Sequence, residues 1–299
     1  MNVLSRRWVP RCLGAVLCLG LVAGCDTASE GEPPPETLAE DVALSVANAL
    51  ALHTNGVLDI AADLALARVQ AISPASAPLT YTADAVTRTY RYDAPAVTWR
   101  VAADGTRGTR GTDFFADIRR TYTLSFLTAD GRPVSSFDAP NDRAATLQVA
   151  ITGGTSDRDL PRSSSRLTTM QGSLTVTDLD AATLTVNGTL TLTGLDRIAR
   201  EDNVFAGTNY TLALTVDNVR GPNDGRDGWA AQVTGRLTGT YQATYSREVS
   251  GVASAQQSVE RTVEIDLESG AGRQALRLLL DTQVFRANVE TGQLTTLAP

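Results

Sequence analysis

From Leu79 to the C-terminus apolar residues recur at every second position, and this period limits what the chain can become. Trp229, Ala231, Val233, Gly235, Leu237, Gly239, Tyr241, Ala243 and Tyr245 share one face of a single long strand. Gln232, Thr234, Arg236, Thr238, Thr240, Gln242 and Thr244 form its other face. Leu184, Val186, Leu190 and Leu192 alternate with threonines in the same manner. So do Tyr210, Leu212, Leu214 and Val216, and again Val259, Val263, Ile265 and Leu267. One apolar face at a period of two marks antiparallel sheet buried on one side, with β-branched threonine suited to the wet side. Weaker strands fit 79–92, 96–103, 114–128, 143–151, 166–178, 273–280 and 283–289. Asp104-Gly105, Asp130-Gly131, Gly153-Gly154, Asp178 to Asp180, Gly221 to Gly228 and Thr291-Gly292 read as turns between them. Short loops then give a meander of about ten or eleven strands. No residue motif repeats at a fixed length, so this is not a solenoid.

Ahead of the strands, residues 37–72 read as helical. Thr37-Leu38-Ala39-Glu40 has the form of a capping box, and Leu38, Val42, Val46 and Leu50 follow at helical spacing. His53-Thr54-Asn55-Gly56 ends or kinks this helix, and a second runs from Val57 to about Ile72, where Ser73-Pro74 stops it. Glu40, Asp41, Asp59 and Asp63 are assigned to the wet face, with only Arg68 basic. Helices that seek membrane surfaces carry Lys and Arg there, so a two-helix unit packed on the sheet is expected instead.

Size narrows the architecture further. Ten strands at ~4.8 Å spacing make a sheet ~48 Å wide, and two helices of ~10 Å diameter cover less than half of it. The rest of the apolar face must be buried by curling, which Gly188, Gly235 and Gly239 on that face suit. The expected fold is mainly β with an N-terminal α-helical segment: a long antiparallel meander, curved or open-barrel, packed on the helices. In element order and strand length this plan resembles the half-barrel folds of periplasmic lipoprotein carriers and lipid-binding lipoproteins. A transmembrane β-barrel would carry aromatic girdles, whereas aromatics make up only 5% of this chain.

The N-terminus carries a leader. Arg6, Arg7 and Arg11 form a positive segment, residues 12–24 are uncharged and apolar, and Ala23-Gly24 are small. That apolar run is shorter than the ~20 residues a spanning helix needs. Leu21-Val22-Ala23-Gly24-Cys25 resembles the lipobox of bacterial lipoprotein signal peptides. The resemblance implies cleavage after Gly24 and a lipid anchor on Cys25. Ser5-Arg6-Arg7 is also loosely similar to a twin-arginine export signal, although Pro10 stands where that motif has an aliphatic residue. The organisation expected is residues 1–24 as signal peptide, 25–36 as a lipidated, Pro33-Pro34-Pro35-stiffened tether, and 37–299 as one domain. Cys12 and Cys18 leave with the leader, so an intramolecular disulfide and a cysteine metal site are both excluded from the mature chain.

Charge and chemistry bound the function. Removing three arginines takes the basic residues from 26 to 23 against 33 acids, a balance of about −10 that argues against nucleic acid as partner. Every basic residue is arginine. His53, the single histidine, lies at a helix end, and every Ser-His-Asp or Cys-His arrangement would depend on it. In Gly221 to Gly228, Asn223, Asp224 and Asp227 offer oxygen ligands without the alternating acids of a calcium loop, so a polar hairpin loop is expected. Gly105 to Asp113 lacks the Walker lysine and reads as a flexible loop. Asn187 and Asn209 open sequons inside strands, where a chance match is the better account. Aromatics are too sparse for a carbohydrate-stacking platform, with Trp99 and Trp229 the ones to locate. Neither catalytic residues, metal ligands nor a cofactor are assigned, and the chain is not read as an enzyme. Two functions remain: a lipid-anchored envelope module for a lipid or other apolar ligand, or a structural or protein-interaction lipoprotein with a filled core. An apolar cavity against the sheet would favour the first.

Overall fold

The computed structural model describes residues 35–69, 72–139, 142–160, 162–201, 204–226, 228–249, 252–253, 256–268 and 275–295. Two helices come first, α1 (Pro35–Leu50) and α2 (Val57–Val69). Strands follow as β1 (Leu79–Ala83), β2 (Val86–Asp93), β3 (Thr98–Gly108), β4 (Phe115–Leu127), β5 (Thr146–Leu160) and β6 (Ser163–Thr177). Next are β7 (Thr183–Glu201), β8 (Val204–Pro222), the one-turn helix α3 (Trp229–Gln232) and β9 (Thr234–Val249). The chain closes with β10 (Gln257–Glu268), β11 (Ala275–Leu280), β12 (Gln283–Asn288) and β13 (Leu294–Thr295). Each of these strands pairs antiparallel with the next in sequence, so the sheet is an unbroken meander with β1 and β13 at its edges, not closed into a barrel.

The sheet is strongly curled. Asp59 and Asp63, one turn apart on α2, bind arginines from β2, β3, β4 and the connection after β8. In a flat sheet β2 and β8 would lie ~29 Å apart, six strand spacings, far beyond the span of two arginine side chains. The segment between the helices reports the same curl. Leu52 and His53 donate their backbone N–H groups to Val289 and Glu290 after β12, at 2.9 Å each. Asn55 Nδ2 donates to the carbonyl of Thr155 on β5 at 3.1 Å.

Because the sheet wraps them, the helices have no wet face between Leu38 and Ala67, and the side chain of Arg68 lies outside the described ones. Between Leu38 and Ala67 only Ala39, Glu40, Leu44 and His53 are even half-buried rather than buried. Alanines on α1 and α2 let these backbones approach the inward leucines and valines of the strands, and all join one apolar core. The outward face is threonine, serine and charge, the reverse of a membrane barrel. Among the described residues no helix is long and apolar enough to cross a membrane.

Several boundaries differ from the sequence expectation for physical reasons. Residues 79–92 are two strands, because Asp84 and Ala85 take positive φ (52° and 57°) and make a tight turn that alanine does not advertise. Gly153-Gly154 is not a turn but lies inside β5 beside a bulge at Thr152, where the register with β4 slips between Thr121 and Tyr122. Asp104-Gly105 lies within β3, where glycine is required: a Cβ on Gly105 would sit 2.3 Å from the Ala85 carbonyl oxygen. Gly105 to Gly108 is thus strand rather than flexible loop. Trp229 to Gln232 is helix α3, so the long strand starts at Thr234. Helix α1 begins at Pro35, placing Thr37 inside it rather than at its cap.

Glycines on the apolar face of β9 leave no vacant room. A Cβ on Gly239 would lie 1.9 Å from the Ala213 carbonyl oxygen, and one on Gly235 would lie 2.5 Å from that of Asn218. Both are backbone atoms of the neighbouring strand β8. Gly239→Ala should therefore cost about 1–3 kcal/mol, read as a lowered urea midpoint with the β-type circular dichroism retained at zero denaturant.

Candidate functional site

On β2 to β5 the inward face of the sheet carries four arginines where its alternation calls for apolar residues. Arg88 sits between Val86 and Tyr90 on β2, and Arg107 follows Val101, Ala103 and Gly105 on β3. Arg120 lies between Ile118 and Tyr122 on β4, and Arg158 between Ser156 and Leu160 on β5. All four are buried. An arginine inside a core needs a partner, because an unpaired buried charge is prohibitive. The helices supply the partners.

Asp59 and Asp63 are fully buried. Asp59 accepts from Arg107 (3.0 and 3.1 Å), Arg120 (3.0 Å) and Arg226 (2.6 Å). Asp63 accepts from Arg88 (2.6 Å), Arg226 (2.6 Å) and Arg120. Asp84, in the β1–β2 turn, adds a third carboxylate 2.9 Å from Arg107 Nε. Burial alone would raise both helix carboxyls. The guanidinium groups outweigh it, holding Asp63 down at about 2 and Asp59 well below the ordinary carboxylate range. These groups stay ionised at neutral pH, so neither supplies a proton. Burial pushes the Tyr90 and Tyr122 hydroxyls beside them upward, and they stay protonated.

A second polar row lies under α1. Arg158, Ser165, Asp196, Thr208 and Tyr245 are cross-strand neighbours from β5 to β9, all facing inward. Arg158 donates to the Asn48 carbonyl and Ser165 to Asp196. Arg200 bridges Asp41 and Glu40, the latter at 3.0 Å, and Tyr245 donates to Asp41 at 3.4 Å. Here desolvation wins. Burial lifts Asp41 to about 6 despite Arg200, and raises Asp196 despite Arg158.

Sequence assigned Asp41, Asp59 and Asp63 to a wet helix face, and the structure overturns this: the curled sheet surrounds that face. Arg226 was missed altogether inside a loop expected to be a polar hairpin. The inward arginines, standing where the period calls for apolar residues, were the available signal. In that same loop Asn223 is buried, its amide donating to the carbonyls of Leu179 (2.7 Å) and Ala181 (2.9 Å), while Asp224 is exposed. Asp227, Gly24 and Cys25 lie outside the described residues.

His53 is half-buried and 3.9 Å from Asp84, with burial lowering its pKa. Its ring meets Phe114 edge-on rather than a nucleophile. Trp99 and Trp229 are buried, donating to the carbonyls of Ser135 (2.7 Å) and Pro222 (3.1 Å), so neither offers a stacking face to solvent.

Open concavity is found on the outer face. A groove of about 600 Å³ crosses β5 to β9, and a second of about 800 Å³ adjoins it toward β10. They share Leu195, Asn209 and Thr244 and form one trough. Ion pairs run along it: Arg110–Asp159 at 2.8 Å, Arg166–Asp157 at 2.7 Å and Arg197–Glu248 at 3.0 Å. The Arg197 guanidinium lies 3.6 Å over the Phe205 ring, which fixes its plane. No family model, curated protein or solved structure matches this chain.

Two stability tests follow from the interior charges. Asp63→Ala leaves Arg88, Arg120 and Arg226 short of a carboxylate and should cost about 3–5 kcal/mol, measured by urea unfolding at pH 7. The pH dependence has two limbs of opposite sign. Asp59 and Asp63 bind protons less readily folded than unfolded, so their contribution is present above the ordinary 3.8 and lost as pH falls toward 2. Asp41 binds its proton more readily when folded, so stability falls as pH rises from 3.8 to about 6. Asp41→Asn should therefore remove the fall in urea midpoint that Asp41 contributes between pH 3.8 and about 6 while leaving the acid limb.

Proposed function

We propose that this chain is an exported lipoprotein of the cell envelope, held at a membrane by lipid on Cys25, whose β domain has a filled core and works through its outer surface. The leader supports the first half of this reading: three arginines, a short apolar run and Leu-Val-Ala-Gly-Cys at residues 21–25. One observation carries the second half. The space inside the curled sheet, where an apolar ligand would sit, is taken by α1 and α2, on which even Asp59 and Asp63 are sealed from solvent. A binding rather than catalytic role is favoured because Asp59 and Asp63 are locked by arginine on every side, and Asp41 and Asp196 are sealed from solvent between α1 and the sheet.

Attachment is tested directly. Expressed at full length, Cys25→Ser should lose metabolic labelling by a fatty acid and appear as uncleaved precursor or a soluble species. Labelling retained in that variant would overturn the anchor. One acyl chain holds a protein only marginally, so firm fractionation with membranes is expected only from a multiply acylated cysteine.

A further inference from the structure

We infer that the rim of the sheet beside the start of α1 docks on a lipid bilayer through a row of three valines. This rests on the reading of Cys25 as a lipid anchor. Val204 opens β8 and pairs with Val249 at the end of β9, and Val249 pairs in turn with Val252. Cross-strand partners share a face, so the three stand side by side. Alternation puts Val249 on the inward face of β9 with Tyr245, and Val204 on that of β8 with Thr208. The hydrogen bond from Tyr245 to Asp41 marks the limit of α1's cover. Past it burial falls away: Tyr245 is 3% exposed, Val249 45% and Val252 72%, while Val204 is half-buried. Single exposed valines are ordinary, but three in register make a contiguous apolar edge.

The start of α1 indicates what this edge meets. Glu40, in the first turns of α1, pairs with Arg200 at 3.0 Å and with Arg162 in the β5–β6 turn at 3.8 Å. Arg200 adjoins Glu201, which pairs with Val204. The start of α1 and the valine row therefore share one rim. Only ten residues lead from Cys25 to Pro35, a reach of ~36 Å at full extension. Strand β9 is 16 residues long, so its other end lies ~50 Å from this rim. An acyl group on Cys25 thus holds the valine rim, of the two, near the bilayer. Tethering makes the contact intramolecular, so a small apolar edge is enough to set the orientation. Other occupants fit less well. Residues 26–34 carry no apolar side chain larger than alanine or proline to lay over the valines. A second copy would have to bury ~800 Å² on each partner, far more than three valines provide. Arg162, Arg197 and Arg200 nearby are each paired with an acid, so the contact is apolar and needs no anionic lipid. The broad outer face stays free for other partners.

The test uses the full chain, reconstituted by its own anchor in phosphatidylcholine vesicles with brominated acyl chains, which quench tryptophan on contact. Val249→Trp and Val252→Trp probe the row. Leu195→Trp on the outer face and Asp224→Trp beyond the far end of β8 serve as references, both at exposed positions. Trp99 and Trp229 are buried and give a constant background. The two rim variants should lose about half or more of the added emission, and the two references none. Val249→Asp beside Val252→Trp should bring the loss down to the reference level while the thermal melt keeps its temperature. No quenching in the row, or equal quenching at all four positions, overturns the assignment. So does an emission change at residue 252 that arises without vesicles and grows with protein concentration, which gives the row to a second copy. Fatty-acid labelling of Cys25 separates the two readings. A labelled chain with an unquenched row keeps the anchor and loses the docking surface. An unlabelled chain is mixed instead with vesicles in excess, where quenching confined to the row keeps the docking surface and its absence overturns it.

Discussion

Two carboxylates on one face of α2 hold the first half of the sheet to the helices. Asp59 and Asp63 are four residues apart, hence stacked on the same side of the helix, and four guanidinium groups converge on them. Transferring either partner from water costs several kcal/mol, which only close and multiple pairing offsets. The dependence is therefore mutual. Without the curled sheet the aspartates need no arginines, and without the aspartates β2, β3 and β4 cannot each turn an arginine inward. Alanine and leucine would pack acceptably in several rotations of α2 against the strands. Rotation by one residue (~100°) would strip every ion pair, so the charges select the register that apolar packing leaves open. Arginine suits the task because its planar fork reaches two acceptors: Arg120 bridges Asp59 and Asp63, as does Arg226.

The two helices are held differently. Under α2 the guanidinium groups outnumber the carboxylates, so attraction exceeds desolvation and the acids remain strong. Backbone carbonyls of Ala83 and Val86 accept from Arg88 Nη1, and that of Leu52 accepts from Arg107. Under α1 the order reverses. Asp41 faces Arg200 but also lies beside Glu40, and Asp196 relies on Arg158 across the interior, so desolvation decides. The same residue type thus titrates on opposite sides of its ordinary value according to how many arginines the sheet brings to it.

How much of this was legible follows from the range of each signal. Period-two alternation is local, and it showed the long strands from Thr183 onward and the need for the sheet to curl. The break at His53 to Gly56 was equally local. The fate of Asp59 and Asp63 was not: on an alanine-rich helix, acids four apart look like a wet stripe until it is known that a sheet surrounds them. Arg88, Arg107 and Arg120 occupied inward positions in plain alternation, and pairing them with the helix acids was the missing inference. Gly153-Gly154 misled for another reason, since glycine marks a bulge and a turn alike. Ala85 misled in the opposite direction, adopting a positive φ that its side chain disfavours. Nothing local marked the outer trough, because Leu195, Asn209 and Gln242 come together only once β7, β8 and β9 are in register.

A filled interior and short edges leave the broad face as the place where this domain can meet anything large. At one edge β1 offers five residues, and at the other β13 offers two. Short edges of this kind give an added strand few backbone hydrogen bonds and discourage sheet-to-sheet association. The outer face is different in extent and in stiffness. Its side chains rise from strands held in the sheet, and Arg110, Arg166 and Arg197 are each tied to an acid, so little conformational freedom is left to lose on binding. Affinity there would come from many small polar contacts in fixed positions, with Leu195 and Phe205 as apolar points among them.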